Sequence, residues 1–122
     1  MAEYIKLGDF EIYRKSLKIA ELSWSIYQKL DWQCRKIIGD QFIRSADSIA
    51  ANIAEGYGRF HYLDRIKFYY NSRGSLLETK HWAFTLKIRK FISEQEFQNL
   101  LSQLNIFHLQ LNIFIKTTYS KK

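Results

Sequence analysis

The chain has 122 residues, a formal net charge of +7, 47% hydrophobic and 25% charged residues. That is one domain's worth, 1–122, able to bury a core without staples, and its balance excludes global disorder. Cys34 is the only cysteine, which excludes an internal disulfide and a cysteine-rich metal site, and no apolar run reaches the about 18 residues a membrane span needs.

Proline is absent, which suits long helices. The first helix is predicted over 10–30, with Asp9 as N-cap and apolar residues at Ile12, Leu17, Ile19, Ala20, Trp24 and Tyr27. A short connection carries Cys34 beside Arg35 and Lys36, a setting that allows surface reactivity without a nucleophilic partner. The second helix is predicted over 36–56. Ile38, Phe42, Ser45, Ile49, Ile53 and Gly56 make its apolar stripe, and small Ala46, Ala50, Ala51 and Ala54 favour a close neighbour. Gly56-Tyr57-Gly58 ends it through a left-handed glycine cap, and is too short for a phosphate loop.

The third helix is predicted over 63–91. Leu63, Ile66, Tyr70, Gly74, Leu77, His81, Phe84, Ile88 and Phe91 alternate spacings of three and four, a heptad seam expected to face the core. The fourth is predicted over 94–117 from the capping box Ser93/Glu96. It carries one seam of Phe97, Leu101, Leu104, His108, Leu111 and Ile115. Leu100, Phe107 and Phe114 form a second stripe, and Ile106, Leu109 and Ile113 a third. A helix apolar on several sides must be buried on several sides, so this helix is expected to meet another subunit. Short connections between long helices give an all-α, antiparallel up-down-up-down four-helix bundle.

The charge is concentrated. Residues 1–58 carry eight Lys/Arg against eight Asp/Glu, whereas 59–90 carry eight against two. The eight are Arg59, Arg65, Lys67, Arg73, Lys80, Lys87, Arg89 and Lys90. Arg73, Lys80 and Lys87 recur every seven residues beside Tyr62 and Tyr69, a pattern that could neutralise phosphates and stack on bases. It could equally be the solvated flank of a helical seam.

Arg44, Ser48, Asn52 and Glu55 form a polar stripe beside Gln41. Asn71, Ser75 and Glu78 form its counterpart on the third helix. The expectation is a structural polar seam in which Arg44 and Asn52 pair with Glu78. His81 and His108 sit on apolar seams as core histidines, and His61, His81 and His108 lack metal-ligand spacing. No triad, metal set or cofactor loop is present, so no enzymatic activity, metal or cofactor is expected.

The segment Gln41–Arg59, QFIRSADSIAANIAEGYGR, with Gly74-Ser75, Glu78 and the opening DFEIYRKSLKIA, resembles the 23S rRNA intervening-sequence protein family of four-helix bundles. The resemblance covers essentially the whole chain. It implies a homopentameric ring of antiparallel bundles. It also relates the chain to the accessory variability protein of diversity-generating retroelements, a basic pentamer that binds a reverse transcriptase and nucleic acid. Two functions are therefore expected as alternatives: a cytoplasmic, oligomeric nucleic-acid-binding module with RNA as first choice over DNA, or a protein-interaction ring docking an acidic partner such as a reverse transcriptase.

Overall fold

The computed structural model describes residues 7–121. Four long helices dominate: α1 (Glu11–Lys29), α2 (Asp40–Tyr57), α3 (Tyr62–Ile88) and α4 (Glu94–Tyr119). No strand occurs among the described residues. Contacts between helix ends give the direction of each. Phe10 at the start of α1 meets Tyr57 at the end of α2 (5.1 Å between centroids) and Phe114 near the end of α4 (5.4 Å). Tyr27, late in α1, donates to Asp40 at the start of α2 (2.6 Å), and Lys29 reaches Glu96 at the start of α4 (3.7 Å). Phe84 and Phe97 close the far end of the α3–α4 pair at 4.9 Å. The helices therefore run up, down, up, down around one core of Ile19, Ile26, Phe42, Ile49, Ile53, Leu76, Leu104 and Leu111.

Local chemistry explains the breaks. Helix α1 starts with Phe10, not Asp9, in the cap position and without a side-chain cap; the Asp9 side chain lies outside the described residues. After α1 the chain re-enters helix earlier than expected. The Asp31 carboxylate accepts from the Cys34 N–H (2.8 Å), a helical turn follows at Trp32–Cys34, and a π turn over Arg35–Gly39 runs straight into α2. Arg35 points back, donating to the Gln28 carbonyl (2.8 Å) and lying over the Tyr27 ring (4.7 Å). It thereby serves a carbonyl that the end of α1 leaves without a helical partner. This docking buries Cys34, and burial pushes its thiol pKa up, so the expected surface reactivity is absent.

The expected left-handed glycine cap on α2 is also absent, since no glycine has positive φ. Gly56 lies inside α2 and is buried. Left-handed backbone occurs instead at Lys90 (φ 66°), which ends α3. There the Lys90 N–H bonds to the Lys87 carbonyl and the Phe91 N–H to the Leu86 carbonyl, both at 2.9 Å, the double bond pattern of a Schellman cap. Ser93 and Glu96 form the expected capping box of α4.

Apart from Ile66, the heptad of the third helix does not face the core. Leu77 is 52% exposed and Ile88 72%, and Tyr70, Gly74, His81 and Phe84 share their outward face. The buried stripe of α3 is Ile66, Tyr69, Ser72, Leu76, Thr79, Ala83 and Leu86. Small hydroxyl and methyl side chains form the middle of that stripe and let α2 approach closely, which is why hydrophobicity alone pointed to the wrong face. On α4 two of the apolar stripes pack inward, and Ile106, Leu109 and Ile113 remain exposed. Leu17 and Trp24 of α1 are likewise exposed rather than in the core.

Candidate nucleic-acid interface

The α2–α3 seam is polar, but its chemistry is hydroxyl rather than ionic. Ser72 Oγ donates to the Ile49 carbonyl (2.8 Å), Ser75 Oγ meets Ser48 Oγ (2.9 Å), and Thr79 Oγ1 meets Ser45 Oγ (2.9 Å). Asn52 turns back to Ser48, donating to its carbonyl (2.9 Å) and its hydroxyl (3.0 Å). The expected pairing of Arg44 and Asn52 with Glu78 does not form. Arg44 and Glu78 are exposed, and Glu78 accepts from the Trp82 indole one turn on (3.2 Å). Glu55 is exposed too and pairs with Arg59 at 2.9 Å. Long charged side chains keep their hydration by staying outside, while short hydroxyls satisfy one another within the tight helix contact. Among the described residues every buried side-chain polar atom has a partner.

The eight basic residues of 59–90 do not converge on one patch. Helix α3 has 27 residues and spans roughly 40 Å. Arg59, Arg65 and Lys67 lie toward its start, and Arg89 and Lys90 beyond its end. Arg59 is held over Phe68 (4.6 Å to the centroid), and Arg65 donates to the Arg59 carbonyl (2.6 Å) and lies over Tyr62 (5.1 Å). Tyr62 is exposed. Tyr69, expected to stack on bases, cannot: it is 2% exposed, packed edge-on against Phe114 (4.7 Å) and part of the core. Burial pushes its phenol pKa up to about 12.

Arg73, Lys80 and Lys87 do share one line, roughly 10 Å apart, along the groove between α3 and α4. Each reaches a different partner on α4. Arg73 donates to the Asn112 side-chain oxygen (2.9 Å) and stacks over Tyr70 (4.9 Å). Lys80 donates to His108 Nδ1 (2.8 Å). Lys87 pairs with Glu94 (3.3 Å) and lies over Phe97 (4.8 Å). His108 is therefore no core histidine but half-buried at the groove, and His81, the other expected core histidine, is exposed. Burial and the nearby Lys80 and Arg73 push the His108 pKa down, which favours the neutral imidazole, the form whose Nδ1 can accept from Lys80. Burial also lowers the Lys80 pKa.

No charged residue occurs on α4 from Phe97 to Ile115. Among the described residues, neither Arg73, Lys80 nor Lys116 has a carboxylate within ion-pair distance. The groove is thus cationic and uncompensated over most of its length. Sequence spacing identified the α3 half of it. The α4 half, His108, Asn112 and Lys116, carried no signal, because an isolated His or Asn on an apolar helix reads as part of the core. A second groove, between α1 and α4, holds Lys15 and Lys18 above Ile19, Leu22 and Phe107, with Lys15 tied to Glu11 at 3.1 Å. Among the described residues no cluster of three or more His, Cys, Asp or Glu could hold a metal ion. No helix there is long and apolar enough to cross a membrane.

A family model described as 23S rRNA-intervening sequence protein matches residues 8–112. The chain is also similar to a crystal structure from Bacteroides thetaiotaomicron, described as a protein with unknown function from the S23 ribosomal protein family. The TM-score is 0.81 at 24% identity, over 86% of this chain and 98% of that one, a likeness that supports the fold. No curated protein matches the chain. With the family model spanning most of its length, the chain belongs to the 23S rRNA-intervening sequence protein family.

Proposed function

We propose that this member of the 23S rRNA-intervening sequence protein family is a non-enzymatic, self-associating nucleic-acid-binding bundle, with RNA as its ligand. The observation that carries the reading is Arg73 and Lys80 facing an α4 surface without charge over 97–115, with Lys87, paired to Glu94, closing the line at one end. A polyanion supplies the counter-charge that the chain withholds there. The family description, which names an intervening sequence within 23S rRNA, supports RNA over other polyanions.

Self-association rests on two outward apolar stripes, Leu77–Phe84–Ile88 on α3 and Ile106–Leu109–Ile113 on α4. Monomers rarely leave contiguous apolar surface of this kind uncovered. Five subunits, as the family resemblance implies, would repeat the basic groove around a ring and add its weak contacts through avidity.

The test is filter binding of a structured RNA at 50 and 150 mM salt, with light scattering in parallel. Arg73→Glu and Lys80→Glu should each weaken binding and flatten the dependence of log K on log salt, by roughly one unit of slope per lost phosphate contact. Unchanged affinity and slope in both variants would remove the groove from the function. A strict monomer at micromolar concentration would remove self-association.

A further inference from the structure

The α3–α4 groove is not uniform. At the end where α4 finishes it widens into a cleft of about 490 Å³ lined by Tyr70, Arg73, Asn112, Ile115, Lys116 and Tyr119. A volume of that order accommodates one small ligand unit. Its walls differ in kind from the rest of the groove. Tyr70 keeps 45% of its surface exposed, and the Arg73 guanidinium lies over its ring rather than on a carboxylate. Asn112 holds Arg73 in place through its side-chain oxygen, a neutral acceptor that leaves the positive charge uncancelled. Lys116 adds a second cation with no described carboxylate within ion-pair distance. Ile115 closes the cleft on the core side.

One class of ligand matches aromatic and cationic walls together: a flat π-system covalently joined to a phosphate. A paired base inside a duplex has both faces stacked already and offers neither to the protein, whereas an unpaired base offers both. An acidic peptide supplies charge but nothing for Tyr70 and the Arg73 plane to stack on.

We propose that this cleft is a single-nucleotide subsite for single-stranded nucleic acid. The base stacks at Tyr70 and Arg73, Lys116 and Arg73 hold the adjoining phosphates, and the strand continues along the groove toward Lys80 and His108. The proposal rests on the nucleic-acid reading above and adds to it the strandedness of the ligand and the place where a base is held. A nucleotide seated here satisfies charge that Asn112 only positions. Asn112 is thus a positioning residue.

The experiment is fluorescence anisotropy of the full chain at one salt concentration, with three labelled probes of equal length. These are a ten-residue oligouridylate, an abasic strand of the same phosphate count, and a duplex. Wild type should bind the oligouridylate about tenfold more tightly than the abasic strand, the scale of one stacked base. Tyr70→Leu should abolish that preference, and Tyr70→Phe should keep it. Asn112→Asp places a carboxylate on Arg73 and should weaken the oligouridylate about tenfold, with the melting temperature unchanged or raised.

Equal affinity of wild type for the base-bearing and abasic strands would overturn the subsite. So would cleft variants that bind like wild type while Lys80→Gln is weakened, an outcome that leaves the groove reading intact. Tighter binding of the duplex than of the single strand would overturn the subsite as well. Failure of wild type to bind any of the three would overturn both readings.

Discussion

Gly56 of α2 lies against the ring of Tyr69 of α3 with no room for a side chain: a methyl group at Gly56 would sit 2.5 Å from Tyr69 Cε1 and 3.0 Å from Cδ1. The Arg65 carbonyl would be 3.1 Å away. Tyr69 cannot retreat, because Phe114 packs against it from α4. Gly56→Ala should therefore destabilise the fold by about 1–3 kcal/mol, the scale of overpacking a filled core, despite the better helix propensity of Ala. Urea denaturation checks it, and Gly56→Ala combined with Tyr69→Leu should recover part of the loss.

The same substitution at Gly74 has the opposite expected sign. A methyl group there meets nothing within 4 Å, and Gly74 sits in the middle of α3 on its outward apolar stripe. Gly74→Ala should stabilise the isolated subunit by about 0.5–1 kcal/mol, the propensity difference in an exposed helix. If another subunit approaches the α3 backbone at this point, the variant will also associate more weakly. Denaturation at low protein concentration and light scattering at high concentration separate the two effects.

Thr79 and Glu78 are neighbours whose substitution should differ in consequence. Thr79 is fully buried, 2.8 Å from the Ser75 carbonyl and 2.9 Å from Ser45 Oγ. Thr79→Val keeps the shape and removes the hydroxyl, at a cost of about 1 kcal/mol. Glu78 is exposed and bonds only to Trp82 among the described residues, so Glu78→Ala should change stability by less than about 0.5 kcal/mol. Thermal melts of the two variants make the comparison. A larger effect for Glu78 would restore the ionic seam that the residue types suggested.

Tyr69 links stability to alkaline pH. Burial raises its pKa from 10.0 to about 12, with Arg65 opposing the shift and Tyr57 adding to it. The folded state thus holds its proton more tightly than the unfolded chain does. Its contribution is fully present below pH 10 and is lost as pH rises through 12, a drop of about 2–3 kcal/mol at roughly 1.4 kcal/mol per unit. Tyr69→Phe should flatten the stability profile between pH 10 and 12. Equal slopes in wild type and variant would place the alkaline sensitivity elsewhere.

The sequence by itself determined the number, order and approximate ends of the helices, the capping box at Ser93 and Glu96, and the concentration of positive charge on the third helix and its two flanks. Those features are local. Periodicity, turn chemistry and side-chain charge act over a few residues and are legible in one dimension.

Which face of α3 turns inward was decided only in three dimensions. Its apolar heptad predicts Leu77 and Ile88 inside, yet the approach of α2 selects the face of Ser72, Thr79 and Ala83, where short side chains allow close packing and each hydroxyl finds a partner. The same approach buried Tyr69 against Gly56 and set Glu78 outside. It also left Arg73 and Lys80 at the edge facing α4, where Asn112 and His108, 39 and 28 residues further along the chain, complete the groove. Helix propensity is a property of neighbouring residues, whereas the choice of buried face depends on the shape of helices distant in sequence, and that shape exists only once the bundle has closed.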